Sequence, residues 1–131
     1  MKNVYTWAAK PAKRSTTVGD LKAAKGKKKF TQVTANTVDE AAAAEKAGFD
    51  MIIANAKNII PVREGSKNLF LTAALVLNEF VTADDIMRGA FKALENGADA
   101  VMTPRSMDIV EMLAKEDVPV MGHLGLVPRK S

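Results

Sequence analysis

Cysteine is missing from this sequence altogether, and there is a single histidine, His123. The first absence excludes a disulfide framework and any thiolate metal site, and it fits a cytoplasmic location. The second excludes a multi-histidine metal centre. Aromatic residues make up only 5% of the 131, and only Tyr5, Trp7 and Phe30 accompany the lysines of the first thirty positions. That is too few for a platform on which nucleic-acid bases stack. No apolar run approaches the roughly 20 residues that a bilayer crossing needs, and the N-terminus has no signal-peptide core, so no membrane partner is expected. Glycine-rich phosphate loops are lacking too. Neither G-x-G-x-x-G nor G-x-x-x-x-G-K-[ST] occurs, which leaves a nucleotide site without a motif.

Acidic residues are scarce where the chain begins. Residues 1 to 30 hold nine Lys or Arg and one acid, Asp20, whereas the remainder holds ten basic and fourteen acidic residues. Residues 1–16 therefore form a basic N-terminal arm, extended around Pro11 and without clean periodicity. Such an arm has the charge to touch a polyanion, but a solvated leader explains it as well, and a nucleic-acid partner is not expected. Residues 17–131 are a different material. With 47% apolar residues overall, the chain has the composition of a folded domain, and its length suits one domain.

Within that span strands and helices alternate. Thr17-x-x-Asp20 has the form of a capping box, opening a short helix that Gly26 would end. Phe30 to Ala35 alternates as a strand. Thr37-x-x-Glu40 opens an alanine-rich helix that closes at Gly48, and Asp50 to Ala54 is a short apolar strand of the kind buried on both faces. Residues 55 to 68, with Pro61 and Gly65, read as a loop holding at most one or two helical turns. Leu69 to Leu77 is the next strand, and Thr82-x-x-Asp85 caps a helix on which Ile86, Ala90, Phe91 and Leu94 share a face. Gly97 ends it. Ala98 to Met102 is a strand, Ser106 precedes a further helix, and Val118 to Met121 is the fifth strand. One junction occurs twice, as Gly48-Phe49-Asp50 and Gly97-Ala98-Asp99, with glycine suited to a left-handed helix cap and an acid leading into a strand.

Five strands alternating with about four helices give an α/β fold with a parallel sheet and right-handed crossovers. The pattern alone leaves an open doubly wound sheet and a barrel open. Scattered polar residues stand at or after the strand ends: Asn36, Asn55, Lys57, Asn78, Glu79, Arg105 and His123. Barrels draw their sites in this way from the carboxyl ends of many strands.

At the C-terminus the residues become more specific. Val118-Pro119-Val120-Met121-Gly122-His123-Leu124-Gly125-Leu126-Val127-Pro128 resembles the VPV-x-GHLGL-x-P stretch of the ketopantoate (3-methyl-2-oxobutanoate) hydroxymethyltransferase family. Thr17 to Leu21, Ala47-Gly48-Phe49-Asp50 and Gly97-Ala98-Asp99-Ala100-Val101 match it more loosely and in the same order. The resemblance implies part of a (βα)8 TIM-type barrel, in the superfamily of enzymes acting on phosphoenolpyruvate and oxo acids. It implies transfer of a one-carbon unit from methylenetetrahydrofolate to a small 2-oxo acid on the route to pantothenate. It further implies a Mg²⁺ ion, held by two aspartates, that stabilises an enolate.

The departures are as informative as the match. The family's metal aspartates align with Ala56 and Ala74, and its lysine and glutamate after strand four fall on Met102 and Pro104. Of the family's catalytic groups only His123 carries over. A hard cation needs oxygen ligands, so no metal ligand is assigned. Glu79 is the candidate base, Lys57 a point charge standing where the enolate needs one, and His123 a catalytic or substrate-binding group. Asn36, Asn55 and Arg105 complete the candidate substrate site, Arg105 as a binder of carboxylate or phosphate. Asn36, Asn55 and Lys57 have plain roles too, as loop groups meeting backbone or water. The reading is thus a hydroxymethyltransferase-like protein with an altered substrate or, in the alternative, an inactive barrel unit with a binding or oligomeric role. The family is about twice this length, so a truncation is the simplest expectation. A sheet with open edges invites pairing, so a homo-oligomer is also expected.

Overall fold

The structure, a computed structural model, describes residues 1–128 and 130; Arg129 and Ser131, at the end of the expected barrel portion, lie outside the described residues. The five expected parallel strands are present, in one sheet, and a two-stranded hairpin precedes them.

The basic arm is not a free leader. β1 (Lys2–Tyr5) and β2 (Pro11–Arg14) pair antiparallel, with Lys2 opposite Arg14 and Tyr5 opposite Pro11. The hairpin is held down by Arg14, which is buried, and by the Ser15 N–H, which donates to the Asn68 carbonyl at 2.9 Å.

Helix starts follow the sequence closely. α1 (Val18–Ala23) opens on a complete Thr17–Asp20 capping box and ends two to three residues before Gly26. α2 (Val38–Ala47) is capped by Thr37 and closed by Gly48 in the left-handed conformation, φ 84°. Glu40 departs from the box: its carboxylate accepts the Asn36 N–H at 2.6 Å instead of the Thr37 N–H. The segment read mainly as loop is more ordered than that. A 3-10 turn, Ala56–Asn58, runs directly into α3 (Ile59–Gly65). Pro61 falls in the first helical turn, where its missing N–H has no intrahelical partner to lose. α4 (Ala83–Glu95) has a complete Thr82–Asp85 box. α5 (Met107–Lys115) starts after Ser106, whose side chain makes no capping bond.

β3 (Gln32–Thr34), β4 (Met51–Asn55), β5 (Phe70–Ala74), β6 (Ala100–Thr103) and β7 (Val120–Gly122) form a parallel sheet in sequential order. Most are shorter than their apolar runs, β5 above all, which ends at Ala74 although the Leu75 N–H still donates to the Met102 carbonyl of β6 at 2.9 Å. Sequential order distinguishes the two candidate architectures. Right-handed crossovers between successive neighbours put every helix on the same face, whereas a doubly wound sheet reverses direction and has helices on both. The core agrees. Ala41 and Ala44 of α2, Val62 of α3, Ile86 and Leu94 of α4 and Leu113 of α5 pack in one cluster with Ile52, Leu71 and Val101 of the strands. The alternate residues Met51, Phe70 and Ala100 face the other way, covered near the strand starts by Val18, Leu21 and Phe30. This is part of a barrel wall, with helices outside and α1 across the bottom. No helix among the described residues is long and apolar enough to cross a membrane.

The two Gly-x-Asp junctions do the same work at that bottom end. Asp50 accepts the Thr31 N–H at 2.8 Å and its hydroxyl at 3.0 Å. Asp99 accepts the Leu71 N–H at 2.9 Å. Each carboxylate thereby ties the start of its own strand to the neighbouring one. Asp99 goes further, receiving Arg14 Nε at 2.9 Å and Arg63 Nη2 at 2.8 Å.

Candidate functional site

The candidate site lies at the carboxyl ends of the strands. Register fixes its rows: Ile53 lies opposite Thr34 and Thr72, Asn55 opposite Ala74, Ala74 opposite Met102, and Met102 opposite Met121. Extending the first pairing by two residues sets Asn36 beside Asn55, and Asn36 Oδ1 does accept the Asn55 N–H at 2.8 Å. Asn58, which sequence reasoning passed over, joins them, its amide donating to the same Asn36 oxygen at 3.1 Å. The signal for it was present as a second asparagine three positions after Asn55, but nothing in that spacing names Asn36 as the partner.

Asn55 has a local task as well. Its side-chain oxygen accepts the Lys57 N–H at 3.0 Å, which caps the 3-10 turn and fixes the direction of the chain as it leaves β4. From that turn the Lys57 ammonium reaches across β5 to Glu79, 3.4 Å away. Their side chains are 63% and 34% exposed, so the pair is well solvated and holds each partner weakly. The structure thus brings Asn36, Asn55, Lys57 and Glu79 into one contiguous patch.

Arg105 and His123 stand apart from it. Arg105 Nη2 donates to the Leu77 carbonyl at 2.7 Å and the Phe80 carbonyl at 2.9 Å, pinning the loop from β5 to α4, and its buried Nε has no hydrogen-bond partner. The same guanidinium lines an open cleft of about 570 Å³ with Leu77, Asn78, Ser106 and Lys130. His123 is half-buried and follows β7. β4 and β7 are three strand spacings apart, about 14 Å along the sheet. Only the inward curvature of a barrel lets Lys57 and His123 address one ligand.

The fit of a Mg²⁺ ion can be judged from the donors present. Ala56 directly follows Asn55, and Ala74 pairs with Asn55 across the sheet. The two positions that the resemblance assigns to metal aspartates hold alanines, Ala74 beside Asn55 in the sheet and Ala56 packed against the helix-side core. The nearby amide oxygens of Asn36 and Asn55 already accept N–H groups, and Glu79 faces an ammonium. Among the described residues no three of His, Cys, Asp and Glu come together as a metal site. These residues do not fit a hard dication.

Comparison with known proteins places the chain. It is 31% identical to the 3-methyl-2-oxobutanoate hydroxymethyltransferase of Pyrococcus furiosus over 131 residues, covering 81% of this chain and 46% of that protein. It is 32% identical to that of Kosmotoga olearia over 130 residues, covering 80% and 49%. A shorter match to the Deinococcus radiodurans protein of the same name is 42% identical over 74 residues, covering 52% and 26%. The chain spans about half the length of the relatives it matches over most of its own. No protein-family model matches it. Among solved structures, a rubisco-like protein from Burkholderia fungorum superposes with a TM-score of 0.55 at 15% identity, covering 86% of this chain and 35% of the other. That likeness bears on fold alone, and it agrees with the partial barrel wall. By sequence, the chain is a relative of the N-terminal part of the 3-methyl-2-oxobutanoate hydroxymethyltransferase family.

Proposed function

We propose that the chain carries the oxo-acid-binding side of a hydroxymethyltransferase-type site, with the metal's part in the chemistry altered. The observation that carries this reading is the Asn36, Asn55, Lys57 and Glu79 patch, set at the carboxyl ends of parallel strands in a chain related to enzymes of that name. The relatives' name supplies the substrate class, a small 2-oxo acid.

The chemistry asked of the patch is enolate formation. A carboxylate at Glu79 takes the proton from the carbon next to the oxo group, and negative charge develops on the oxo oxygen. Lys57 offers that oxygen an ammonium, a point charge in place of a Lewis acid. The enolate carbon then bonds to a one-carbon unit at the formaldehyde level, which by the resemblance water releases from methylenetetrahydrofolate as tetrahydrofolate departs. The alkoxide so formed takes back the proton held at Glu79. Asn36, Asn55, Arg105 and His123 are the binding groups, Arg105 and His123 for the carboxylate end. Before substrate enters, Lys57 and Glu79 face each other. Separating them costs little, because exposed pairs are worth only about 0–1 kcal/mol.

Thermal-shift titration with 3-methyl-2-oxobutanoate tests this, with and without Mg²⁺, in the native chain and in His123→Ala and Lys57→Met. Ligand that binds the folded state raises the melting temperature. The expected result is a rise that needs no Mg²⁺ and shrinks in both variants. A flat response in every arm removes the oxo-acid reading. It would favour the second reading, an inactive barrel unit, for which the methyl groups of Ala56 and Ala74 are the specific observation.

A further inference from the structure

Two asparagines at the carboxyl ends of the strands are held in one orientation by groups that can only donate. The Asn55 main-chain N–H meets the Asn36 side chain at 2.8 Å, and the Lys57 main-chain N–H meets that of Asn55 at 3.0 Å. A peptide N–H has no lone pair to offer, so the side-chain atom facing it is the carbonyl oxygen and never the NH2 group. The shape of an amide leaves that choice ambiguous, and here the backbone makes it. Asn58 follows suit. Its amide nitrogen donates to the same Asn36 oxygen at 3.1 Å, so both lone pairs of that oxygen are taken.

The polar ends are thereby sorted. The two oxygens are committed to the protein's own N–H groups, and the NH2 ends of Asn36 and Asn55 remain as donors that make no hydrogen bond among the described residues. Lys57, on the same turn as the bond that holds Asn55, adds an ammonium, which is donor only as well. The acids nearby are occupied: Glu40 accepts the Asn36 main-chain N–H at 2.6 Å, and Glu79 faces Lys57 at 3.4 Å. With two carboxylates beside one ammonium, this corner has no excess of positive charge. Whatever it selects, it selects by the direction of its N–H groups. Asn55 and Lys57 belong to β4 and the turn after it, and β4 has a strand on either side.

We propose that the Asn36 and Asn55 amides form, with Lys57, a donor subsite for the oxo oxygen of a 2-oxo acid, and that Asn58 is the positioning residue that keeps Asn36 turned. This rests on the oxo-acid reading and goes beyond it. Donors fixed before the ligand arrives favour the oxygen on which enolate charge develops, because no group has to reorient as that charge grows. The carboxylate end is left to Arg105 and His123, which stand apart from this corner.

The experiment is calorimetric titration of the full chain with 3-methyl-2-oxobutanoate and, by displacement, with 3-methylbutanoate, which has the same charge and no oxo oxygen. Asn36→Asp and Asn55→Asp keep the accepting oxygen and lose only the NH2 group. Thr37→Asp puts the same charge next to Asn36 at a helix cap, where aspartate serves equally well. The native chain should prefer the oxo acid, and that preference should fall on the order of ten-fold in Asn36→Asp and in Asn55→Asp. Thr37→Asp should retain it. Asn58→Ala should lower it part of the way in the native background and leave it unaltered in Asn36→Asp, where no NH2 group remains to be positioned. Without ligand, Asn55→Asp should melt with the native chain, and a melting point well below it would overturn the sorting of the amide ends. A native chain that binds neither acid would remove the oxo-acid reading and this inference with it. A native preference that survives both asparagine substitutions, or one that Thr37→Asp abolishes equally, would overturn this inference alone.

Discussion

Asp99 shows how much a single side chain can organise. It receives Arg14 across 85 residues of sequence, Arg63 across 36, and the Leu71 N–H. The Arg14 side chain is only 4% exposed and that of Arg63 15%, so both cations have given up most of their water. Burial is what moves Arg63, pushing its pKa down to about 10 against the pull of Asp99. Its remaining N–H groups are spent on the Gly97, Ser66 and Leu69 carbonyls, which fastens α3 to the starts of β5 and β6. Removing one partner from such a cluster leaves buried charge without compensation. Asp99→Asn should therefore destabilise the fold by about 3–5 kcal/mol. Urea denaturation would show this as a fall in midpoint with an unchanged slope. A loss below about 1 kcal/mol would mean that solvent reaches both guanidinium groups. Half of this was legible beforehand: the Gly-x-Asp repeat pointed to a strand start, but which cations meet the acid is a property of the closed fold.

At the scale of elements, the threonine-led helix starts were legible because a capping box is local chemistry, complete within four residues. Carboxylates in two of these boxes and at one strand junction have an acid-side consequence. The Lys2 ammonium and Thr17 lower the pKa of Asp20, the Thr82 N–H lowers that of Asp85, and the Thr31 N–H that of Asp50, each from an ordinary value of 3.8. A carboxyl with a depressed folded-state pKa stabilises the fold above its unfolded value and loses that contribution as pH falls through the folded one. Melting temperature should thus decline as pH drops below about 4, and Asp50→Asn should flatten part of the slope. An Asp50→Asn profile parallel to the native one would show that the Thr31 contacts are not formed in solution. The α3 segment was harder to read, because Pro61 and Gly65 speak for a loop when taken alone. Gly65 is there for packing: a Cβ at that position would collide with the Val38 carbonyl at the start of α2. Gly65→Ala should cost about 1–3 kcal/mol through overpacking, read from the same denaturation midpoint. An unaffected midpoint would mean that α2 and α3 can separate without loss.

The whole molecule was legible where alternation and sheet direction decide it, and less so where distant segments meet. The βα rhythm and right-handed crossovers made a parallel sheet legible, but the sequential β3 to β7 order, which sets the crossover helices on one face, was left open by the pattern alone. The candidate site was legible as a set of residue types at strand ends. Its grouping was not, since Lys57 meeting Glu79 and Arg105 turning to the Leu77 carbonyl depend on loop paths that spacing does not encode. The largest difference lies at the N-terminus. Nine basic residues among thirty favour a solvated arm on composition alone, and composition cannot register that Arg14 has a half-buried acid waiting. The hairpin built from that arm also lays Trp7 edge-on against Phe91 of α4, with ring centroids 5.7 Å apart, so it grips the molecule at two separate places. Deleting residues 1–14 removes both grips and leaves Asp99 with Arg63 alone. If the arm were only a leader, its loss would leave the melting temperature unchanged. If it is part of the domain, as the Arg14–Asp99 pair implies, the shortened chain should lose at least about 3 kcal/mol. Arg14→Ala in the full chain should reproduce most of that loss. An arm deletion that is costly while Arg14→Ala is silent would move the weight of the attachment to Trp7 and the Asn68 contact.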